Sequence, residues 1–583
     1  MYGMRAAKRK YDIVLSRAGL GRRRRFYCPP PGRRAGGARA RIIPMTPNSA
    51  LGPAAVAPVT AVAPAQTLSI PQALDLAVTH LNAGRRGEVE NICLKVLDVE
   101  PDNAQALHLV AVLAHLAGKQ GIALALIEKA LRIAPGDAQF HYNHGVVLGS
   151  LRRPEAALAA YRQAVALDPR HPNAWANLGN IALDLDRFDE ALDAYARALG
   201  NNPHDLNPAL ASAIALFAAR RLDASAAAFA RALQMAPQEP RVHWEHAHLC
   251  LLRGDFAQGW EEYESRFVSP QSNVWNYPYP YPRWTGEPLA GKTIVLHGEQ
   301  GLGDEIMFAS IYAEVIAEAA QVIICCQPHL APLFRDSFPA AQVVPQLRND
   351  ADAWTRRPVD WVGDVPRIHY QIPFGSLARL RRRARAEFPA HTGYLRADPA
   401  RMVAWQEKLA PLTGYRVGLC WAANPAIEDP MAARRSRKKS LTLQQLEPLL
   451  DVEGVNFISL QTWEAAAQVA AASPATRARI LDASAGLKDF ADTAALIMNL
   501  DLVITVDTSV AHLAGALGKP VWILLPWQAD WRWHVDTDES EWYPSARLLR
   551  QPQLSDWASV IGQARAALAA AVPQKAAAAA SAA

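Results

Sequence analysis

The chain has 583 residues, of which 50% are hydrophobic and 20% charged. That is enough to bury a large core without disulfides or metals and too apolar for a wholly disordered or collagen-like chain. Its six cysteines (Cys28, Cys93, Cys250, Cys325, Cys326, Cys420) contain no CxxC pair, which argues against a disulfide scaffold or a thiolate zinc cluster and for a reducing, cytoplasmic setting; no run of 18 apolar residues marks a membrane span.

The net charge of +6 conceals an asymmetry, because residues 1–41 carry thirteen Lys/Arg against Asp12 alone, leaving a mildly acidic remainder. A basic arm of this kind binds nucleic acid or serves as a transit peptide, or it is an over-extended reading frame with Met45 as the natural start. Nucleic-acid binding is disfavoured, since the arm lacks interleaved aromatics and the body is acidic. Residues 1–67 are expected to be a disordered arm and an Ala/Pro linker.

A 34-residue period follows. Pro101, Pro135, Pro169, Pro203 and Pro237 recur at that spacing. With each repeat numbered so that this proline is position 32, the eighth position is always small (Ala77, Ala111, Gly145, Gly179, Ala213, Ala247). The twentieth is also small or slight (Val89, Ala123, Ala157, Ala191, Ser225, Gly259). The twenty-fourth is large and apolar or a cysteine (Cys93, Ile127, Tyr161, Tyr195, Phe229, Tyr263). Small residues let two antiparallel helices approach, a large one fills the gap, and proline ends the second helix. The pattern resembles the tetratricopeptide repeat, with 174–203 its clearest copy, and six units are expected over 68–267. Such an array implies an all-α superhelix whose groove holds a protein or peptide. Asn143 and Asn177 fall on the sixth position of successive repeats, on the helix that lines the groove. In protein O-GlcNAc transferases an asparagine ladder there grips the acceptor backbone; here Leu109 and Ala211 interrupt it, and solvated asparagines are the plainer reading.

After Phe267 the character changes. Fifteen of the sixteen tryptophans lie from Trp244 onward, and 268–290 reads as a stiff Pro/Tyr connector. Strand-length apolar runs at 293–297, 321–326, 341–345, 415–421, 456–461, 478–482, 501–506 and 520–525 then alternate with helical stretches, which predicts βαβ units and parallel sheets. A break near 395–415 divides them into two Rossmann-like domains, 291–412 and 413–570, followed by an alanine-rich tail, 571–583.

Ligands of such sheets bind beyond the carboxyl ends of the strands, which directs attention to three segments. In 293–315 a strand runs into Gly298, Gly301 and Gly303 and a helix opening with Asp304; the spacing fits neither the dinucleotide fingerprint nor a phosphate loop. In 501–526 a strand ends at Asp507, and Thr508, Ser509 and His512 open the next helix, which makes an anion or nucleotide site. The loop after 415–425 carries Arg434, Arg435, Arg437, Lys438 and Lys439 ahead of Ser440, counter-charge for a diphosphate.

Together, residues 290–560 resemble the family 9 glycosyltransferases, whose best-known members are the bacterial heptosyltransferases, and most closely their tetratricopeptide-fused branch. GLGD (301–304) is similar to the family's glycine–aspartate loop, which implies Asp304 as the catalytic base, with Gly301 and Gly303 beside the donor. VDTSVAHLAGALGKPV (506–521) resembles the segment that binds the nucleotide diphosphate, implying donor contacts by Asp507, Thr508, Ser509 and His512; Ser509 stands where heptosyltransferases have glycine. KKSL (438–441) resembles the lysine-bearing diphosphate segment, implying Lys439 and Ser440. The resemblance implies a GT-B pair of Rossmann-like domains, a nucleotide-sugar donor, a protein or glycan acceptor presented by the repeats, and no metal or other cofactor. The alternative is a non-catalytic adaptor with a glycosyltransferase-like domain.

Overall fold

The structure, a computed structural model, describes residues 12–15, 66–270, 272, 274, 276, 277, 279–346, 367–424 and 430–582. Met45 and most of the basic arm lie outside this set. Within the arm, expected to lack structure, β1 (Asp12–Leu15) pairs antiparallel with β2 (Gln66–Ser69). The chain falls into two compact units, residues 1–187 and 188–583.

The first unit holds three helical hairpins, α1 (Ile70–Asn82) with α2 (Arg86–Val99), α3 (Ala104–Leu116) with α4 (Gln120–Ile133) and α5 (Ala138–Ser150) with α6 (Pro154–Leu167), and then α7 (Ala174–Asp184). The second opens with α8 (Phe188–Asn201), α9 (Leu206–Ala218), α10 (Leu222–Met235), α11 (Pro240–Leu252) and α12 (Phe256–Tyr263). Each periodic proline stands two residues past the end of a second helix. The small and large positions of the repeat are buried throughout. A Cβ on Gly145 would lie 2.7 Å from the Tyr161 ring, and one on Gly259 2.7 Å from Leu251, so the small positions are where the paired helices touch. The same period appears in the caps. Asn103, Asp137, Asp205 and Glu239 accept from backbone N–H groups of the first helical turn; at the equivalent place His171 Nδ1 accepts from Ala174 N–H at 3.2 Å. These satisfy donors that a helix N-terminus leaves unpaired.

The connector docks against the first sheet. Trp284 is buried, its N–H donates to Gln371 O, and Gln371 N–H donates to Pro282 O, at 2.9 and 3.0 Å. That sheet contains β3 (Thr293–His297), β4 (Gln321–Cys326), β5 (Gln342–Pro345) and β6 (Tyr370–Pro373), ordered 5-4-3-6 and parallel. The second contains β7 (Tyr415–Cys420), β8 (Val455–Ser459), β9 (Ile480–Asp482), β10 (Leu502–Val506), β11 (Val521–Leu525) and β12 (Ala546–Arg550), ordered 12-11-10-7-8-9 and parallel. Counted from its own first strand, the second sheet has the Rossmann order 3-2-1-4-5-6, and the first has its 3-2-1-4 portion. Strands β6 and β12 were not expected from the sequence. Beyond them, the helix Trp557–Ala582 carries on through the alanine-rich segment. Among the described residues no helix is long and apolar enough to cross a membrane.

Candidate functional site

Strand β10 is buried at every position and delivers Asp507 to the end of the sheet beside the switch point between β7 and β10. Thr508, extended at φ −137°, is the N-cap of the helix Ser509–Ala516. Its hydroxyl lies 3.1 Å from that of Thr505. Lys439 Nζ donates to Asp507 Oδ2 at 3.1 Å, and His512 Nε2 stands 3.9 Å from Oδ1. Burial alone would raise the Asp507 pKa, but Lys439, His512 and Arg532 together hold it below the usual carboxylate value. His512 is buried, its Nδ1 lies 2.8 Å from the Tyr543 hydroxyl, and its ring stacks on Trp533 at 5.3 Å. Burial pushes its pKa down to about 4, so the imidazole is neutral at neutral pH. A Cβ on Gly515 would sit 2.3 Å from the Tyr543 ring; glycine at this turn of the helix is what lets Tyr543 reach His512.

The glycine loop after β3 leads into α13 (Leu302–Phe308), with Gly301 at its N-cap. Asp304 accepts from Gly301 N–H at 2.8 Å through Oδ2 and from the Arg532 guanidinium through Oδ1. It is therefore a cap and an ion-pair partner at once. Gly303 has a packing role, because a Cβ there would lie 2.7 Å from His512 Cδ2. The two site helices thus meet, α13 from the first sheet against Ser509–Ala516 from the second. The crossing segment 392–395 fastens them. Tyr394 and Leu395 N–H donate to Ala516 O, and the Tyr394 hydroxyl donates to Ile306 O at 2.9 Å. Gly518, at φ +72°, approaches Thr392 so closely that a Cβ would stand 1.6 Å from its carbonyl oxygen.

Arg532 joins the two halves. It is buried, bonded to Asp304 and to Asp530 Oδ1 at 2.5 Å, and lies over the Trp531 ring at 4.2 Å. Burial opposes its charge, but Asp530 and Asp304 outweigh it and raise its pKa. Arg532, Asp304, Asp507 and Lys439 all act electrostatically on His512. The neighbouring tryptophans are structural, with Trp531 packed at 5.3 Å on Trp260 and Trp533 on His512.

The basic segment expected as a loop is instead the helix Pro430–Lys439, whose last turn holds Arg437, Lys438 and Lys439. Cations suit a helix C-terminus because unpaired carbonyls gather there. Lys439 is the cation that reaches Asp507; Arg435 and Arg437 are exposed. Ser440 positions backbone, accepting from Ala423 N–H and donating to Ser436 O. Asn143 and Asn177, in the first unit, are half-buried and tie adjacent repeats. Asn143 Nδ2 bonds His108 Nε2 at 2.6 Å and Asn177 Nδ2 donates to the Tyr142 hydroxyl at 3.2 Å.

Of the residues singled out from the sequence, Asp304, Gly303, Lys439, Asp507, Thr508 and His512 converge. Sequence reasoning did not assign Arg532, Tyr543 or Gln461 to the site. Gln461 is buried after β8 and accepts from Trp421 and Ala422 N–H at 3.0 and 2.9 Å, shaping the loop after β7. Chain order offers no cue to these partners, Arg532 being 228 residues from Asp304.

Residues 142–205 and 210–270 match the tetratricopeptide repeat model, and residues 461–524, which include Asp507, Thr508, Ser509 and His512, match glycosyltransferase family 9 (heptosyltransferase). The chain therefore joins tetratricopeptide repeats to a family 9 glycosyltransferase-like domain. Protein FlbA of Caulobacter vibrioides is 31% identical over 333 residues, 55% of this chain and 54% of that protein; the chain thus spans about half the length of this curated relative. Among solved structures, Pseudomonas aeruginosa pilF is 21% identical over 35% of this chain and 93% of its own, with a TM-score of 0.32. MamA protein is 19% identical over 30% of this chain and 94% of its own, with a TM-score of 0.27.

Proposed function

We propose that the chain is a cytoplasmic glycosyltransferase of GT-B type that moves a sugar from a nucleotide-sugar to a protein or glycan acceptor presented by the repeats, without a metal. The observation that carries this is the constellation Asp507, Thr508, Ser509, His512 and Lys439 at the switch point of the second sheet, faced by Asp304 and Arg532. A donor diphosphate would rest on the N–H groups and hydroxyls opening the helix Ser509–Ala516, with Lys439 and Arg532 supplying charge as it departs. Asp304 would take the proton from the acceptor hydroxyl as the acceptor oxygen bonds to the sugar and the bond from sugar carbon to phosphate oxygen breaks. Asn143 and Asn177 would meet the acceptor from the repeat groove.

One observation favours the adaptor reading. Asp304 is engaged through both oxygens and Lys439 is paired with Asp507, so opposite charges in the site already satisfy one another. A panel of nucleotides and nucleotide-sugars read by thermal shift separates the two. A ligand at about 100 times its dissociation constant stabilises the fold by about 2.7 kcal/mol. A shift with one donor, lost in Lys439→Ala, supports transfer, whereas no shift with any of them leaves the adaptor.

A further inference from the structure

The last hairpin, α11–α12, carries a group of side chains that the transfer reading does not use. His243, His246 and Cys250 stand at i, i+3 and i+7 on α11 and so share one face, and Glu262 comes from α12. His246 Nδ1 is 2.6 Å from Glu262 Oε2, and His243 Nδ1 is 3.9 Å from Glu262 Oε1. Cys250 Sγ lies 3.6 and 3.8 Å from the ring nitrogens of His246. One donor atom each from His246, Cys250 and Glu262 falls within a 4.8 Å sphere of mutual separation.

The repeat itself shows that the fold does not require the thiol or the carboxylate. The place of Glu262 holds Ile92, Leu126, Ala160, Ala194 and Ala228 in the five preceding repeats, and that of Cys250 holds Ala114, Leu148, Ala182 and Leu216 in four of them. His246 stands where Leu76, Val110 and Leu178 stand in three others, and where His144 and Ser212 stand in the remaining two. Here the same framework buries an imidazole and a thiol beside a half-buried carboxylate, at a desolvation cost that a shared partner would offset.

We propose that His246, Cys250 and Glu262 form a structural zinc site, which His243, next to Glu262, would complete as fourth donor. Imidazole, thiolate and carboxylate are the donors zinc takes, at about 2.0–2.3 Å, which places tetrahedral ligands roughly 3.2–3.8 Å from one another. Magnesium and calcium, which select oxygen, do not suit a sulfur and two nitrogens. One bond of the kind that orients zinc ligands is in place, Gln258 Nε2 donating to Glu262 Oε1 at 2.9 Å; the bond from His243 Nε2 to Pro237 O belongs to the repeat, since His141 and Trp175 make it to Pro135 and Pro169. On binding, the Cys250 S–H proton leaves to solvent and a sulfur lone pair forms the Zn–S bond, with no change of oxidation state. Burial, then Glu262, pushes the free thiol up to about 12, so affinity rises with pH. Such a clip would hold α12, from which Trp260 Nε1 donates to Arg382 O at 2.7 Å, Glu261 pairs with Arg383 at 2.8 Å, and the Tyr263 hydroxyl donates to Gln300 at 2.9 Å. This structural metal is independent of whether transfer needs one.

The test uses the full-length, tag-free chain, stripped with a chelator, re-equilibrated with zinc and assayed by elemental mass spectrometry. About one zinc per chain is expected. Cys250→Val and Glu262→Ala, each restoring the side-chain class of the other repeats so that folding survives, should weaken zinc by at least about tenfold in chelator competition. Cobalt in place of zinc should give a thiolate-to-metal charge-transfer band that Cys250→Val abolishes. Wild-type chain retaining only traces of zinc, or Cys250→Val binding as tightly as wild type, overturns the proposal.

Discussion

Asp304 accepts from Gly301 N–H through one oxygen and from Arg532 through the other, so cap, ion-pair partner and candidate base meet in one side chain, and this gives Asp304 its diagnostic value. Asp304→Asn keeps an oxygen for the cap and removes both the basicity and the ion pair. Transfer is expected to fall by at least about 100-fold while donor-induced stabilisation persists; activity close to wild type would place the base elsewhere. The buried histidines give a second prediction. His108, His297 and His512 are each pushed by burial from 6.5 to about 4. Above pH 6.5 neither the folded nor the unfolded chain holds the extra protons. Between 6.5 and 4 the unfolded chain binds protons that the folded chain refuses, so stability is full above this window and is lost as pH falls through it. Melting temperature measured by circular dichroism should be level near neutrality and drop across that window, and His297→Asn should make the drop shallower. An unchanged slope would mean that His297 is charged when folded.

At the scale of elements, the turn between the two helices of each repeat has one residue in the left-handed region, at 84, 118, 152, 186, 220 and 254, another 34-residue register. Glycine fills it at Gly84, Gly118 and Gly254, while Arg152, Asp186 and Arg220 hold it at φ +57° to +58°. A side chain there costs about 1–2 kcal/mol, partly offset by the greater freedom of unfolded glycine. Arg152 is exposed, so Arg152→Gly should stabilise by about 0.5–1 kcal/mol, read as a raised melting temperature; a lowered one would show that the arginine holds the turn. What the sequence discloses follows the same physics. The repeat was legible because small, large and proline positions return at one period, and the buried central strands because they are unbroken apolar runs. The strands that escaped, β6 and β12, are short and their apolar runs are broken, by Gln371 and Pro373 in one and by Arg547 and Arg550 in the other. Helix Pro430–Lys439 escaped because it has no apolar stripe. In the site, the residues of each strand–turn–helix were legible, and the pairing of Asp304 with Arg532 was not, since nothing in chain order joins them.

For the whole molecule, the ties to the transferase-like domain are concentrated in the hairpin from Pro240 and the residues just after it. Arg266 is fully buried there, bonded to Glu299 at 2.9 Å, Glu264 at 2.7 Å and Ser376 at 2.8 Å. Removing residues 102–135, one whole period, rejoins Pro101 to Gly136 in register. The shortened chain should fold and keep the thermal shift given by any donor, while its capture of acceptors changes; loss of the donor response would show that the early repeats shape the donor site. The period itself has a further consequence. Each unit closes on a neighbour through the same small and large positions, so a duplicated or lost unit meets a surface it already fits. The hairpin Pro240–Tyr263 has no such freedom, because its partners are unique. On the proposed reading, a lineage can revise which acceptors it recognises by gaining or shedding copies upstream of that hairpin, while the chemistry at Asp507 is inherited unchanged.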